Sequence, residues 1–259
     1  MLNRPAHIPA AVTQAPLTFS WSNEIALRLD DFDAVPPRLG NALEKVNYKG
    51  KMALALGCLE WVVWRLSGLT DVQDALQRIE AGWASQVSVA YARSLNLASV
   101  RDELTAPGDP ARPLQTALIR LEMLQLIYRK GKTQMISMSG RCALLAFHVL
   151  PPDSGFEAWL EKALVAMAVT DLCGPDYDRR ARSFDYSGEA AVPRAWLDDL
   201  SVPRDPAAAA ADWNAFFTAA DPASNPFLVP ADEMRAQGFP GEPYVFEAAP
   251  SGPRTGPSQ

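Results

Sequence analysis

The stretch YKGKMALALGCLEWVVWRLS, residues 48–67, decides the fold. On a helix turning 100° per residue, Met52, Leu54, Leu56, Leu59, Trp61, Val62, Val63, Trp64 and Leu66 cover most of the circumference. A helix that is apolar on nearly every side has to be surrounded, so residues 48–67 are placed at the centre of the molecule. Glu60 and Arg65 interrupt the run, and no apolar stretch of the chain approaches the ~20 residues that span a bilayer. Gly50 and Gly57 each cost a helix ~1 kcal/mol. Their presence here predicts close approach of a neighbouring element.

Working outward, the prolines map the rest. None of the 22 falls within 38–106, 114–150 or 153–174, and twelve lie after residue 174. An interior proline costs a helix ~3 kcal/mol, so the proline-free windows are where long helices form. Ser22 starts a helical stretch to Phe32, and residues 37–46 make a short helix. Thr70 with Gln73 fits a capping box ahead of the stripe Val72, Leu76, Ile79, Trp83 and Val87. Shorter helical pieces are expected over 88–104, and residues 106–113 read as loop. Residues 114–129 carry two apolar stripes and are expected to be the second buried central helix, closed by the cations Arg129, Lys130 and Lys132. Ser137 or Ser139 starts a third helix that stops at Pro151-Pro152. Asp153 or Ser154 starts a fourth, with Phe156, Trp159, Leu160, Ala163, Leu164, Met167 and Ala168 at helical spacing.

The predicted fold is therefore mainly α, an irregular multi-helix bundle. Residues 1–16 are expected to be a disordered N-terminal segment without the apolar core of a secretory signal. Leu17, Phe19 and Trp21 alternate as a strand or extended strap would. Residues 17–175 form the helical core domain. Residues 176–247 form an acidic, proline- and aromatic-rich strap packed on it, and 248–259 a free tail. No repeat of the ~33- to 47-residue kind is visible.

The net charge of −6 is unevenly spread. Residues 111–150 carry six Lys/Arg against the single acid Glu122, whereas 151–259 carry eight against seventeen acids. An acidic chain argues against nucleic-acid binding and suits a partner with a basic surface. Cys58, Cys142 and Cys173 are odd in number and far apart. They read as buried thiols rather than a disulfide framework or a zinc set, and they point to a cytoplasmic setting.

Catalytic vocabulary is sparse. Gly131-Lys132-Thr133 ends like a phosphate loop, but Leu126 stands where that loop needs glycine. Ser139 lacks the glycine two residues before it that a nucleophile elbow requires. Only His7 and His148 are present, the first in the expected floppy segment and the second on an apolar helix, so a multi-histidine metal site is excluded. Asp31/Asp33, Asp176/Asp178 and Asp198/Asp199 are acidic pairs without a calcium-loop frame. Asn225-Pro226-Phe227 is either a turn or a short linear recognition motif. Glu60 is the most telling single position, because a buried carboxylate needs a partner. Arg65, Arg120 and Arg141 are the candidates.

These features predict a non-catalytic protein-binding module, such as a bacterial cytoplasmic immunity or antitoxin-like protein or an effector adaptor. Asp176, Asp178, Asp198 and Asp199 would meet the basic partner, with no metal and no cofactor. The alternative is an enzyme built on Glu60 and His148 with an arginine from 112–141. An oligomerising helical scaffold is a third possibility.

Overall fold

A computed structural model describes residues 2–94, 110–174 and 183–247. Among them are ten α-helices and no strand: α1 (Ala10–Gln14), α2 (Asn23–Asp30), α3 (Pro37–Glu44), α4 (Tyr48–Leu66) and α5 (Gln73–Val87) in the first part. Then follow α6 (Ala111–Arg129), α7 (Met135–Val149), α8 (Phe156–Thr170), α9 (Pro206–Ala219) and α10 (Ala231–Ala236). The chain is mainly α, a multi-helix bundle.

The Asn47 side chain accepts the Gly50 N–H at 2.8 Å and starts α4. Every residue of α4 except Trp64 is buried, as its all-round apolar pattern requires. The glycines sit where neighbours press closest. A Cβ at Gly57 would lie 2.8 Å from the Trp159 ring, so α8 lays its indole directly on the α4 backbone.

The second expected central helix is less enclosed. Helix α6 buries Leu114, Ala117, Leu121, Leu124, Ile127 and Tyr128, but Leu126 on its other stripe is exposed. Helix α7 is the principal neighbour of α4 instead. Helix α6 also begins at Ala111, inside the expected loop. Pro113 then falls in the first turn, where its missing N–H has no intrahelical acceptor to lose. Helix α5 starts at Gln73, later than the Thr70 cap implies, because the Asp71 carboxylate takes the Gln73 N–H. Helix α7 starts at Met135, before both serines expected to cap it. Ser139 bonds back to the Met135 carbonyl, an interior role.

The N-terminal segment is a correction. Residues 2–16 are packed rather than disordered: Leu2, Ile8 and Val12 are buried, and Arg65 reaches from α4 to the Val12 and Pro16 carbonyls. Short apolar residues between prolines give no periodicity, so the sequence offered no sign of this burial. The alternating Leu17, Phe19 and Trp21 form no strand. Trp21 is buried and Leu17 exposed.

Residues 183–247 cross the helices with their aromatic side chains turned inward. Trp196, Trp213 and Phe217 are buried, and Tyr91 of the short turn after α5 meets Phe217, Phe239 and Tyr244 at ring separations of 4.8–5.2 Å. Asn225 is an anchor: its amide donates to the Gln77 carbonyl and to Glu80 at 2.9 and 2.7 Å, while Phe227 lies under the Arg78 guanidinium. The Asn225-Pro226-Phe227 turn is thus occupied inside the fold and is not displayed as a recognition motif.

Candidate functional site

Glu60 projects from the middle of α4, and its carboxylate is sealed at 1% exposure. Trp83 of α5 donates to Oε1 at 2.5 Å. Arg194 supplies Nε to Oε1 at 2.7 Å and Nη2 to Oε2 at 2.6 Å. The same Nη2 also reaches the Asn3 carbonyl. Burial works against the Arg194 charge, but the Glu60 carboxylate outweighs it and raises the guanidinium pKa above its usual value.

The partner is none of the three arginines expected. Arg65 serves carbonyls of the N-terminal segment and of Val149, Arg120 bonds Asp30 and the Leu29 and Arg141 carbonyls, and Arg141 offers Glu60 nothing. Arg194 was invisible because it lies in the irregular region, where no periodicity points a side chain anywhere.

His148 is elsewhere. On the last turn of α7 it hydrogen-bonds the Ser20 carbonyl at 2.8 Å and meets the edge of Trp21. It shares no partner with Glu60, which is filled by structural donors. The arrangement expected of an enzyme built on both, an open pocket where they converge, is not formed by the described residues. Asp176 and Asp178 lie outside the described residues. Asp198 and Asp199 end a 3₁₀ turn (Arg194–Asp198 and the next residue), and they differ in role. Asp199 is exposed and accepts from the Ser201 hydroxyl and N–H. Asp198 holds His7.

That pair was not foreseen. The His7 ring stacks on Trp159 with centroids 4.9 Å apart and 8° between planes. Its Nδ1 lies 2.8 Å from Asp198 Oδ1, and its backbone N–H donates to the same oxygen at 3.1 Å. Partial burial pushes the Asp198 carboxyl up. The two His7 hydrogen bonds, with the His7 and Arg194 charges behind them, outweigh that and leave it below the usual carboxylate range. The other ring nitrogen, Nε2, is buried without a hydrogen-bond partner.

His7 and Asp198 line a groove of about 890 Å³ along one flank of α8. A second hollow, about 440 Å³, runs along the opposite flank against α3 and Phe147. A third, about 530 Å³, lies at the C-terminal end of α8 beside Asp185 and Glu189. Helix α8 therefore rides proud of the body. Its inner face is Phe156, Trp159, Leu160, Ala163 and Met167. Its outer face is apolar too: Val165 and Val169 are 65% and 79% exposed, and Leu172 just beyond is 64% exposed. Glu157, Glu161, Asp198 and Asp199 border this strip, with Lys162 and Arg38 as the opposing charges.

Among the described residues no group of three or more metal-ligating side chains is assembled, and no helix is long and apolar enough to cross a membrane. Comparison with protein-family models, curated proteins and solved structures returns no match.

Proposed function

We propose that the protein binds another protein through the outer face of α8. The observation that carries this reading is that strip of Val165, Val169 and Leu172, continued by the half-exposed Phe147 ring and uncovered by any described residue. A contiguous exposed apolar strip rimmed by polar groups, here Glu157, Glu161 and Lys162, is the usual mark of an interaction surface. The hollows on either side give a partner relief to fit. The carboxylates around the strip favour a partner whose contact is apolar with basic flanks, and they speed its encounter. Masking or escorting a basic protein in the cytoplasm, as immunity proteins, antitoxins and effector adaptors do, is a role that such a surface suits.

The test uses two exposed positions. Val165→Asp/Val169→Asp is expected to lower capture of the co-purifying partner from the native host by roughly thirtyfold, since an interface anchor is typically worth ~2 kcal/mol. Leu27→Asp on α2, at a residue 74% exposed, is expected to leave capture unchanged. Equal capture by both variants would overturn the proposal.

A further inference from the structure

Helices α3 and α8 both pack on α7, and the hollow of about 440 Å³ runs between them as a trough. Leu39 and Ala42 line it from α3, Leu160, Leu164 and Val165 from α8, and the 43% exposed Phe147 ring from α7. Val165 belongs to the exposed strip as well, so trough and strip are one surface.

Charge is confined to the rim. Arg38 stands on the α3 side, Glu157 and Glu161 on the α8 side, one helical turn apart. Arg38 and Glu161 meet at 3.4 Å, with their side chains 93% and 68% exposed. A pair so exposed contributes little, so it parts readily when something enters. The rim then presents two carboxylates along one edge against one guanidinium on the other. An acyl chain with an anionic head would meet more repulsion than attraction there.

The walls decide the conformation of what fits. All three are helices, so the trough has no strand edge with which an extended segment could pair. A segment entering an apolar slot must bring its backbone hydrogen bonds already made, as a helix does. The stretch of α8 that borders the trough, Glu157 to Val165, is about 12 Å long at ~1.5 Å per residue. Two turns of a second helix match that length, with apolar anchors at i, i+4 and i+7.

We infer that the trough receives an amphipathic helix of the protein partner, its apolar stripe on Phe147 and its basic edge along Glu157 and Glu161. This rests on the protein-binding reading and names the element that the partner presents.

The probe is a fluorescent, alanine-based helical peptide of about fifteen residues, with leucines at i, i+4 and i+7 and lysines along one edge. Two companions replace the lysines by glutamates or place a proline midway. Anisotropy is expected to show the glutamate and proline peptides binding about tenfold more weakly than the lysine peptide. Ala42→Trp, which fills the trough, should weaken the lysine peptide about thirtyfold. Arg38→Ala removes the competitor for Glu161 and should tighten it two- to threefold, by about the strength of an exposed pair. Glu157→Lys/Glu161→Lys, at exposed positions, should reverse the ranking of the lysine and glutamate peptides with the fold intact. No binding of the lysine peptide, equal binding of all three, or an unreversed ranking overturns the inference. Displacement of the peptide by decanoate assigns the trough to an acyl chain instead. A self-associated protein that the peptide splits, seen by sedimentation, assigns it to a second copy. Val169→Asp lies outside the trough and is expected to lower partner capture but leave peptide binding unchanged. Capture that needs the valine strip yet survives Ala42→Trp sinks the helix-in-trough inference alone, so the two proposals fail separately.

Discussion

Replacing Arg194 by methionine strands a carboxylate in the core. Glu60 would keep only the Trp83 donor and lose two charge-assisted bonds of 2.6–2.7 Å. Leaving one charge of a buried pair unmatched costs about 3–5 kcal/mol. The Arg194 side chain is 16% exposed, so water reaches the site in part and the lower end applies. We expect Arg194→Met to lose about 3–4 kcal/mol. At ~2 °C per kcal/mol for a chain of this size, that is a fall in melting temperature of roughly 6–8 °C. Glu60→Gln retains an acceptor for Trp83 and one arm of the guanidinium, and should cost about 2 kcal/mol. The double variant should cost no more than Arg194→Met alone, leaving a coupling energy of about 2 kcal/mol. Urea unfolding of the four proteins, followed by circular dichroism, measures it. Hydrogen exchange adds a second readout: Arg194 also holds the Asn3 carbonyl, so the Ile8 amide should exchange faster in Arg194→Met. A coupling below ~0.5 kcal/mol would refute the argument that the pair acts as one buried unit.

Two further outcomes follow from the site and the core. The Asp198 carboxyl is held below its usual range in the folded protein, so its contribution is fully present above the unfolded-state value of ~3.9 and is lost as pH falls through the lower folded value. Asp198→Asn should therefore flatten the acid limb of the stability curve below about pH 4, and an unchanged limb would refute the assignment. Burial pushes the Cys58 thiol well up and that of Cys142 to about 12, so both should resist a thiol reagent at pH 8 until the protein unfolds, while the half-buried Cys173 reacts first. Rapid native labelling of Cys58 or Cys142 would contradict this.

Periodicity made the helices legible. The wheel of residues 48–67 placed α4 at the centre, and Gly57 marked the point where another element, α8, sits on it. The same reasoning gave the inner stripe of α8 but not its exposure. An apolar residue reads alike whether it faces a neighbour or water, and only the fold shows that Val165 and Val169 are largely exposed. The site was less legible than the bundle. Glu60 stood out because a charge inside an apolar helix demands a partner. Its partner lies 134 residues away in a segment with no repeating pattern, whereas the candidates the helices offered were Arg65, five positions along the same helix, Arg120 and Arg141. His7 sits among Pro5, Pro9 and Pro16, which announce loop. Its role depends on Trp159 and Asp198, brought beside it by separate elements. Pairing between irregular segments is fixed by shape and hydrogen bonding, and neither leaves a trace in composition or spacing.

The distance between Glu60 and Arg194 along the chain also orders events during synthesis. At ~5–20 residues per second, a ribosome takes roughly 7–27 s to add the 134 residues between them. Throughout that interval the nascent helix carries an acid without its Arg194 counter-ion, and the Asn3 carbonyl lacks the donor that holds it in the finished fold. The earliest and the latest parts of the polypeptide thus wait for one guanidinium, and truncated products ending before it should be preferred prey for quality-control proteases.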